Sequence, residues 1–232
     1  MMEKHFEDVN CLLCHSKESN ILYSFNSFNT PLNIVRCNCS FIYLNPRPTS
    51  TYIFKYYSKD YLPHKNNQLL KFFQIFTFYW KKNIIKKCSS KKNNILDIGA
   101  GDASFGKYMS KYGYCVDSYD KYNSNAISLI PDNKVYDIVT CWHSLEHFHD
   151  INNIFNSLSK ITNNKTVYII ALPNFDSIDR KIFKDKWVAL DVPRHLYHFT
   201  TYSISEYLKK YNISVVNKYR MIQDTFFNIY LS

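Results

Sequence analysis

Four cysteines fall before residue 40, as Cys11-x-x-Cys14 and Cys37-x-Cys39. Two short knuckles of this kind can each present two soft thiolates from a turn, which is the donor set a tetrahedral zinc ion takes without a large core behind it. The second knuckle is one residue shorter than the first, which strains both of its thiolates onto one ion; His15 is a substitute ligand within reach. The alternative is four reduced thiols in a fold that has lost its metal. Seven cysteines with no apolar export signal before them are expected as thiols and not as a disulfide framework.

A second constellation is Ile95-Leu96-Asp97-Ile98-Gly99-Ala100-Gly101-Asp102-Ala103, an apolar strand running into a glycine turn and then a helix. Gly99 and Gly101 let the backbone approach a ligand closely, with Ala100 between them, and the helix start offers free N–H groups. On its own, a tight strand-to-helix turn explains the pattern equally well. Asp120, twenty-one residues after Gly99, ends the next strand, where its carboxylate can accept from both ribose hydroxyls of a nucleotide-like cofactor. A nicotinamide fingerprint would need a third glycine where Ser104 stands. S-adenosylmethionine is the alternative, and Asp97 can help hold its cationic amino-acid end, directly or through water.

The run Asp97-Ile-Gly-Ala-Gly-Asp-Ala103 resembles the first motif of class I S-adenosylmethionine-dependent methyltransferases, with Ala103 where a further glycine is usual. Tyr136-Asp-Ile-Val-Thr-Cys-Trp-His-Ser-Leu-Glu-His-Phe148 resembles the fourth-strand motif of the subfamily that includes ubiquinone-type O-methyltransferases and zinc-ribbon-bearing sugar methyltransferases. Leu172 to Ser177, Trp187, Asp191 to Thr200, and the stretch from Arg36-Cys37 through Tyr43 to Pro48 are similar to the same group, so the resemblance spans nearly the whole chain. It implies that Cys141, Trp142 and His143 line the methyl-transfer side. It also implies that Glu146 and His147 act as acid/base groups, and that His195, in a loop that also carries His198, contacts the substrate. His147 suits the role of general base because an imidazole titrates near neutrality. In the plainer alternative Glu146 only caps a helix or pairs with an arginine. His143, Glu146, His147, His195 and His198 could instead assemble a divalent-metal site, since residues three or four apart share a helix face.

These residues require elements to hold them. Short β-branched runs at 94–98, 114–119, 136–141, 166–172 and 213–218 predict strands, with a last one at 226–231. Helical patterns cover 103–112, 150–161 and 203–211, and a long, mostly buried helix is expected over Gln68 to Lys87. This alternation predicts an α/β fold, a Rossmann-like doubly wound parallel sheet with helices on both faces. A small zinc ribbon over 1–48, a helical lead-in over 49–92 and the methyltransferase domain over 93–232 complete the organisation. Only sixteen residues separate Asp120 from Asp137, so the third strand is expected to be vestigial or absent.

With 46% hydrophobic and 17% aromatic residues, the chain has apolar surface enough for a packed core, which excludes wholesale disorder. The net charge of +10 is spread over scattered Lys-Lys pairs. That pattern makes a dedicated nucleic-acid face the weaker expectation beside a small metabolite or nucleotide-activated sugar as substrate. An RNA methyltransferase and a non-catalytic methyltransferase-like scaffold are the competing readings. No apolar run is long enough to span a membrane, and a cytoplasmic location is expected.

Overall fold

The structure is a computed structural model that describes residues 5–27, 30–57, 68–89, 94–121, 126–127, 129–131, 134–221, 228 and 232, with side chains of the first helix taken from residue 74 onward. In chain order, five strands come first: β1 (Phe6–Glu7), β2 (Ser19–Ser27), β3 (Thr30–Cys37), β4 (Ile42–Asn45) and β5 (Arg47–Pro48). Helix α1 (Gln68–Cys88) leads to β6 (Asn94–Ile98), α2 (Ser104–Ser110), β7 (Cys115–Tyr119), β8 (Ile138–Trp142), α3 (Ile151–Leu158) and β9 (Val167–Ala171). Then follow α4 (Ile178–Phe183), β10 (Tyr197–His198) and α5 (Thr201–Lys209). The chain forms two compact units: residues 60–172 make one, and residues 1–59 together with 173–232 make the other.

In the unit made of residues 60–172, four parallel strands lie in the order β7-β6-β8-β9. All five residues of β8 are buried, as expected for a strand covered on both faces. Alternation along the strands separates two apolar layers. Ile95, Ile138 and Trp142 pack with Ile85 of α1 and with Phe105 and Met109 of α2. On the other face, Ile98, Val139, Cys141 and Ile170 line a small gap together with Ile154, Phe155 and Leu158 of α3. Between Asp120 and Asp137 the described residues form no strand, and Ile127 makes one isolated parallel bridge to Tyr119. Helix α1 is less buried than its composition suggests: Ile84 and Ile85 are inside, while Ile75, Phe76 and Tyr79 are more than half exposed.

The other unit is built on the antiparallel sheet β10-β4-β3-β2, with β1 and β5 paired beside it in sequence register Phe6 to Pro48. The hairpin β2–β3 runs from Ser19 opposite Cys37 to Ser27 opposite Thr30, with a register shift between Ile21 and Tyr23. Phe41, Tyr43, Phe175, Phe199 and Tyr207 are fully buried in this unit, with Phe41 against both Tyr43 and Phe199. Because β10 pairs with β4 through Tyr197 to Tyr43 and His198 to Ile42, the cysteine-bearing segment is completed by residues near the other end of the chain. This grouping differs from the sequence partition at 48 and 92. The apolar run at 213–218 forms no strand, and Val216 is 84% exposed. The expected strand at 226–231 lies almost wholly outside the described residues.

Candidate functional site

Strand β6 ends in a turn held by the residues that end β7. Tyr119 O accepts from the N–H groups of Gly99 and Ala100 at 2.8 and 3.0 Å, and Asp120 Oδ2 accepts from Gly101 N–H at 2.9 Å. Gly99, Gly101 and Ala103 all have positive φ, at 69°, 55° and 60°. The two glycines serve different ends. A Cβ on Gly99 would collide with the side chain of Ser144, whose Oγ donates to Gly99 O at 3.0 Å, so this glycine is demanded by packing. A Cβ on Gly101 would meet nothing within 4 Å, and the turn is open there.

Asp97 is buried in the sheet, where Thr140 Oγ1 donates to its Oδ1 at 2.5 Å. Burial pushes its pKa up from 3.8 to about 6, against the pull of the Thr140 bond and of Lys81. It lies under the turn and not at its surface. Lys81 reaches in from α1, its ammonium 4.8 Å from the Trp142 ring centre and 5.3 Å from that of Phe105.

Cys141 and Trp142 are both buried and pack into opposite apolar layers of the sheet. The Cys141 thiol is held far up by burial and then by the neighbouring Glu146 carboxylate, so it stays protonated. At the end of β8 the chain turns through His143, at φ 51°, into a short 3-10 turn over Leu145–His147. The Glu146 carboxylate is buried, with Oε1 3.9 Å from His143 Nδ1, while the His143 ring is about one-third exposed. His147 is half-buried and its backbone N–H donates to Ser144 O. The sheet thus brings Gly99, Gly101, Asp120, Ser144 and the 143–147 turn to one edge.

In the other unit, His195 Nδ1 lies 2.8 Å from Ala189 O; a carbonyl only accepts, so this nitrogen carries the proton. Its Nε2 is 3.7 Å from Asp191 Oδ2, and that carboxylate is gripped by Arg194 through Nε at 2.9 Å and through Nη2. His198 is buried beside Phe175 at the β10–β4 pair, and burial, followed by the nearby His195, drives its pKa down to about 3. Such a histidine stays neutral and packs.

The four N-terminal cysteines converge in the same unit. Their sulfurs all lie within 4.8 Å of one another, and the knuckles meet crosswise, Cys11 to Cys39 at 3.4 Å and Cys14 to Cys37 at 3.3 Å. His15, in the left-handed turn after Cys14, is exposed and is not a member of this cluster. Ser144, Thr140 and Lys81 are contributors that the sequence pattern did not single out. Ser144 and Thr140 stand inside the 136–148 motif, but their partners Gly99 and Asp97 are 45 and 43 residues away and share no local signal with them.

Comparison with known proteins adds the chemistry. A family model described as "Methyltransferase domain" matches residues 66–218. No curated protein matches at a significant level. Among solved structures, 1,6-didemethyltoxoflavin-N1-methyltransferase of Burkholderia thailandensis, bound to 1,6-didemethyltoxoflavin and S-adenosylhomocysteine, is similar in fold. It has 12% identity and a TM-score of 0.55, over 88% of this chain and 91% of that one. Magnesium protoporphyrin IX methyltransferase of Synechocystis PCC 6803 gives 14% identity and a TM-score of 0.47, over 72% and 87% of the two chains. The chain belongs to the methyltransferase-domain family: it is an S-adenosylmethionine-dependent methyltransferase with the class I fold.

Proposed function

We propose that the chain transfers a methyl group from S-adenosylmethionine to a small-molecule acceptor, with the nucleotide-activated or cell-surface sugars of the resembled subfamily as the first class to try. The observation that carries this reading is the open turn at Gly101. A closed structural turn would fill the space beside the glycine, whereas here a side chain would meet nothing, and the neighbouring Asp120 carboxylate is already oriented by the Gly101 N–H. The residues fit the cofactor. Gly99, Ala100 and Gly101 would hold it along the backbone and Asp120 would take its ribose, while buried Asp97 acts beneath the turn. When bound, the cofactor supplies an electrophilic methyl group on a sulfonium.

The chain's own contribution is to fix the acceptor and remove its proton. His147 is the proposed base, because it leaves the same sheet edge as the glycine turn on a short turn anchored to Ser144. Glu146, buried one residue earlier, supports that turn. His143, half-buried, is proposed to border the methyl-transfer side with Cys141 and Trp142 packed behind it. The small-molecule class is supported by the similar Burkholderia structure, which holds such an acceptor. One zinc ion on Cys11, Cys14, Cys37 and Cys39 is part of the proposal, since four converging sulfurs are its preferred donor set. The other three cysteines, Cys88, Cys115 and Cys141, are proposed to stay reduced in a cytoplasmic protein. Among the described residues, no helix is long and apolar enough to cross a membrane.

Calorimetry with S-adenosylhomocysteine tests the cofactor site. The parent chain should bind it and Gly101→Val should bind at least about tenfold more weakly, a difference of about 1.4 kcal/mol. Equal binding by the variant moves the site elsewhere, and no binding by the parent makes the chain a non-catalytic scaffold. His147→Ala should keep cofactor affinity while losing about 100- to 10,000-fold in turnover. Parental turnover of this variant from pH 6 to 9 would remove His147 as the base.

A further inference from the structure

The first cysteine knuckle is gripped from outside its turn. The carbonyls of Leu12 and Leu13, the two residues between Cys11 and Cys14, accept from Lys210 Nζ at 3.0 and 2.9 Å. Cys11 and Cys14 supply two of the four converging sulfurs, so one ammonium fixes the two successive peptides that join two of the metal donors.

Lys210 is positioned for this by the fold. It is the C-terminal cap of α5, a helix seated through Ser203, Tyr207 and Leu208, and its ammonium lies 5.8 Å from the Tyr207 ring centre. Charge-assisted bonds from one ammonium to two successive carbonyls hold the turn between the cysteines in one conformation. Four thiolates around a divalent ion carry a net charge of −2, which a nearby ammonium also offsets.

We infer that Lys210 is a positioning residue for the cysteine metal centre: by holding the Leu12 and Leu13 carbonyls it fixes the turn that presents Cys11 and Cys14, and so raises metal affinity. This rests on the zinc reading above. It also links the filling of an N-terminal knuckle to a helix near the other end of the chain.

The full-length chain, loaded with zinc or cobalt(II), is titrated against a chromophoric chelator in the parent, Lys210→Met and Lys210→Arg forms. Lys210→Met keeps the aliphatic stem and removes the donors; it should bind metal about 10- to 100-fold more weakly, the usual cost of losing an outer partner of a ligand. Its cobalt-thiolate charge-transfer band should move to lower energy, because sulfurs that lose the nearby positive charge give up an electron more readily. Lys210→Arg should restore both affinity and band, and the metal-free parent and Lys210→Met should melt together. Unchanged affinity and spectrum in Lys210→Met overturn the inference. So does a weakened affinity with an unmoved band, or one matched by a lower melting temperature of the metal-free variant, either of which makes the lysine a strut. A parent chain that takes up neither metal overturns the zinc reading itself, and the inference with it.

Discussion

The two glycines of the β6 turn separate packing from binding at single-residue resolution. Gly99→Ala adds a methyl group into Ser144 at a positive φ, and should destabilise the fold by about 2 to 4 kcal/mol in denaturant titrations, the sum of left-handed strain and overpacking. Gly101→Ala adds only the strain, about 1 to 2 kcal/mol, because nothing stands beside it. Asp97 makes the pH prediction. Its folded pKa of about 6 lies above the ordinary 3.8, so between these values the folded chain holds a proton that the unfolded chain has released. The stabilisation from this group is therefore fully present below pH 3.8 and is lost as pH rises through 6, by an amount on the order of 3 kcal/mol. Asp97→Asn keeps the acceptor for Thr140 and removes the titration. Parent and variant stabilities compared from pH 4 to 7.5 should diverge with rising pH in favour of the variant, and parallel curves would show that Asp97 ionises at no cost.

At the scale of elements, helix α5 offers a clean measurement. Thr200 Oγ1 accepts from Ser203 N–H at 3.0 Å and Ser203 Oγ accepts from Thr200 N–H at 2.9 Å, a reciprocal cap. Thr200→Ala should cost about 1 kcal/mol in thermal denaturation. Elements with strong local patterns were legible from the sequence: Asn94–Ile98 is an apolar run stopped by glycine, and Asp150 caps α3 by accepting from Asn153 N–H. Strand β10 was not legible, since two residues carry no period and Tyr197 and His198 are extended only through pairing with β4. The reverse error occurred at 213–218, where β-branched residues alternate but find no partner strand among the described residues. The glycine turn and Asp120 could be read because their spacing follows from one βαβ unit. The roles of Ser144 and Lys210 could not, because each is defined by a partner 45 or almost 200 residues distant.

For the molecule as a whole, the division into units does not follow the order of the chain. Residues 1–59 need 173–232 to finish their sheet, and the middle stretch folds as its own parallel sheet. A chain shortened to residues 1–172 should keep the four cysteines yet hold zinc at least about tenfold more weakly in chelator competition, since β10 leaves the edge of β4 and Lys210 is gone. Undiminished affinity would mean that the knuckles are self-sufficient. The charge of +10 makes the chain self-repelling, but some of its lysines lie over aromatic rings, as with Lys81 over Trp142 and Lys82, whose ammonium lies 3.6 Å from the Tyr112 ring centre.

The pairing of β4 with β10 also sets an order of events during synthesis. About 150 residues separate Asn45 from Tyr197, so at roughly 5 to 20 residues per second the ribosome delivers the cysteines on the order of 10 to 30 s before the strand and lysine that complete their surroundings. Through that interval the thiols have only each other and whatever ion reaches them. A metal captured early would fasten the two knuckles together while the middle sheet is still being made, and the nascent chain would carry its first crosslink before its last helix exists.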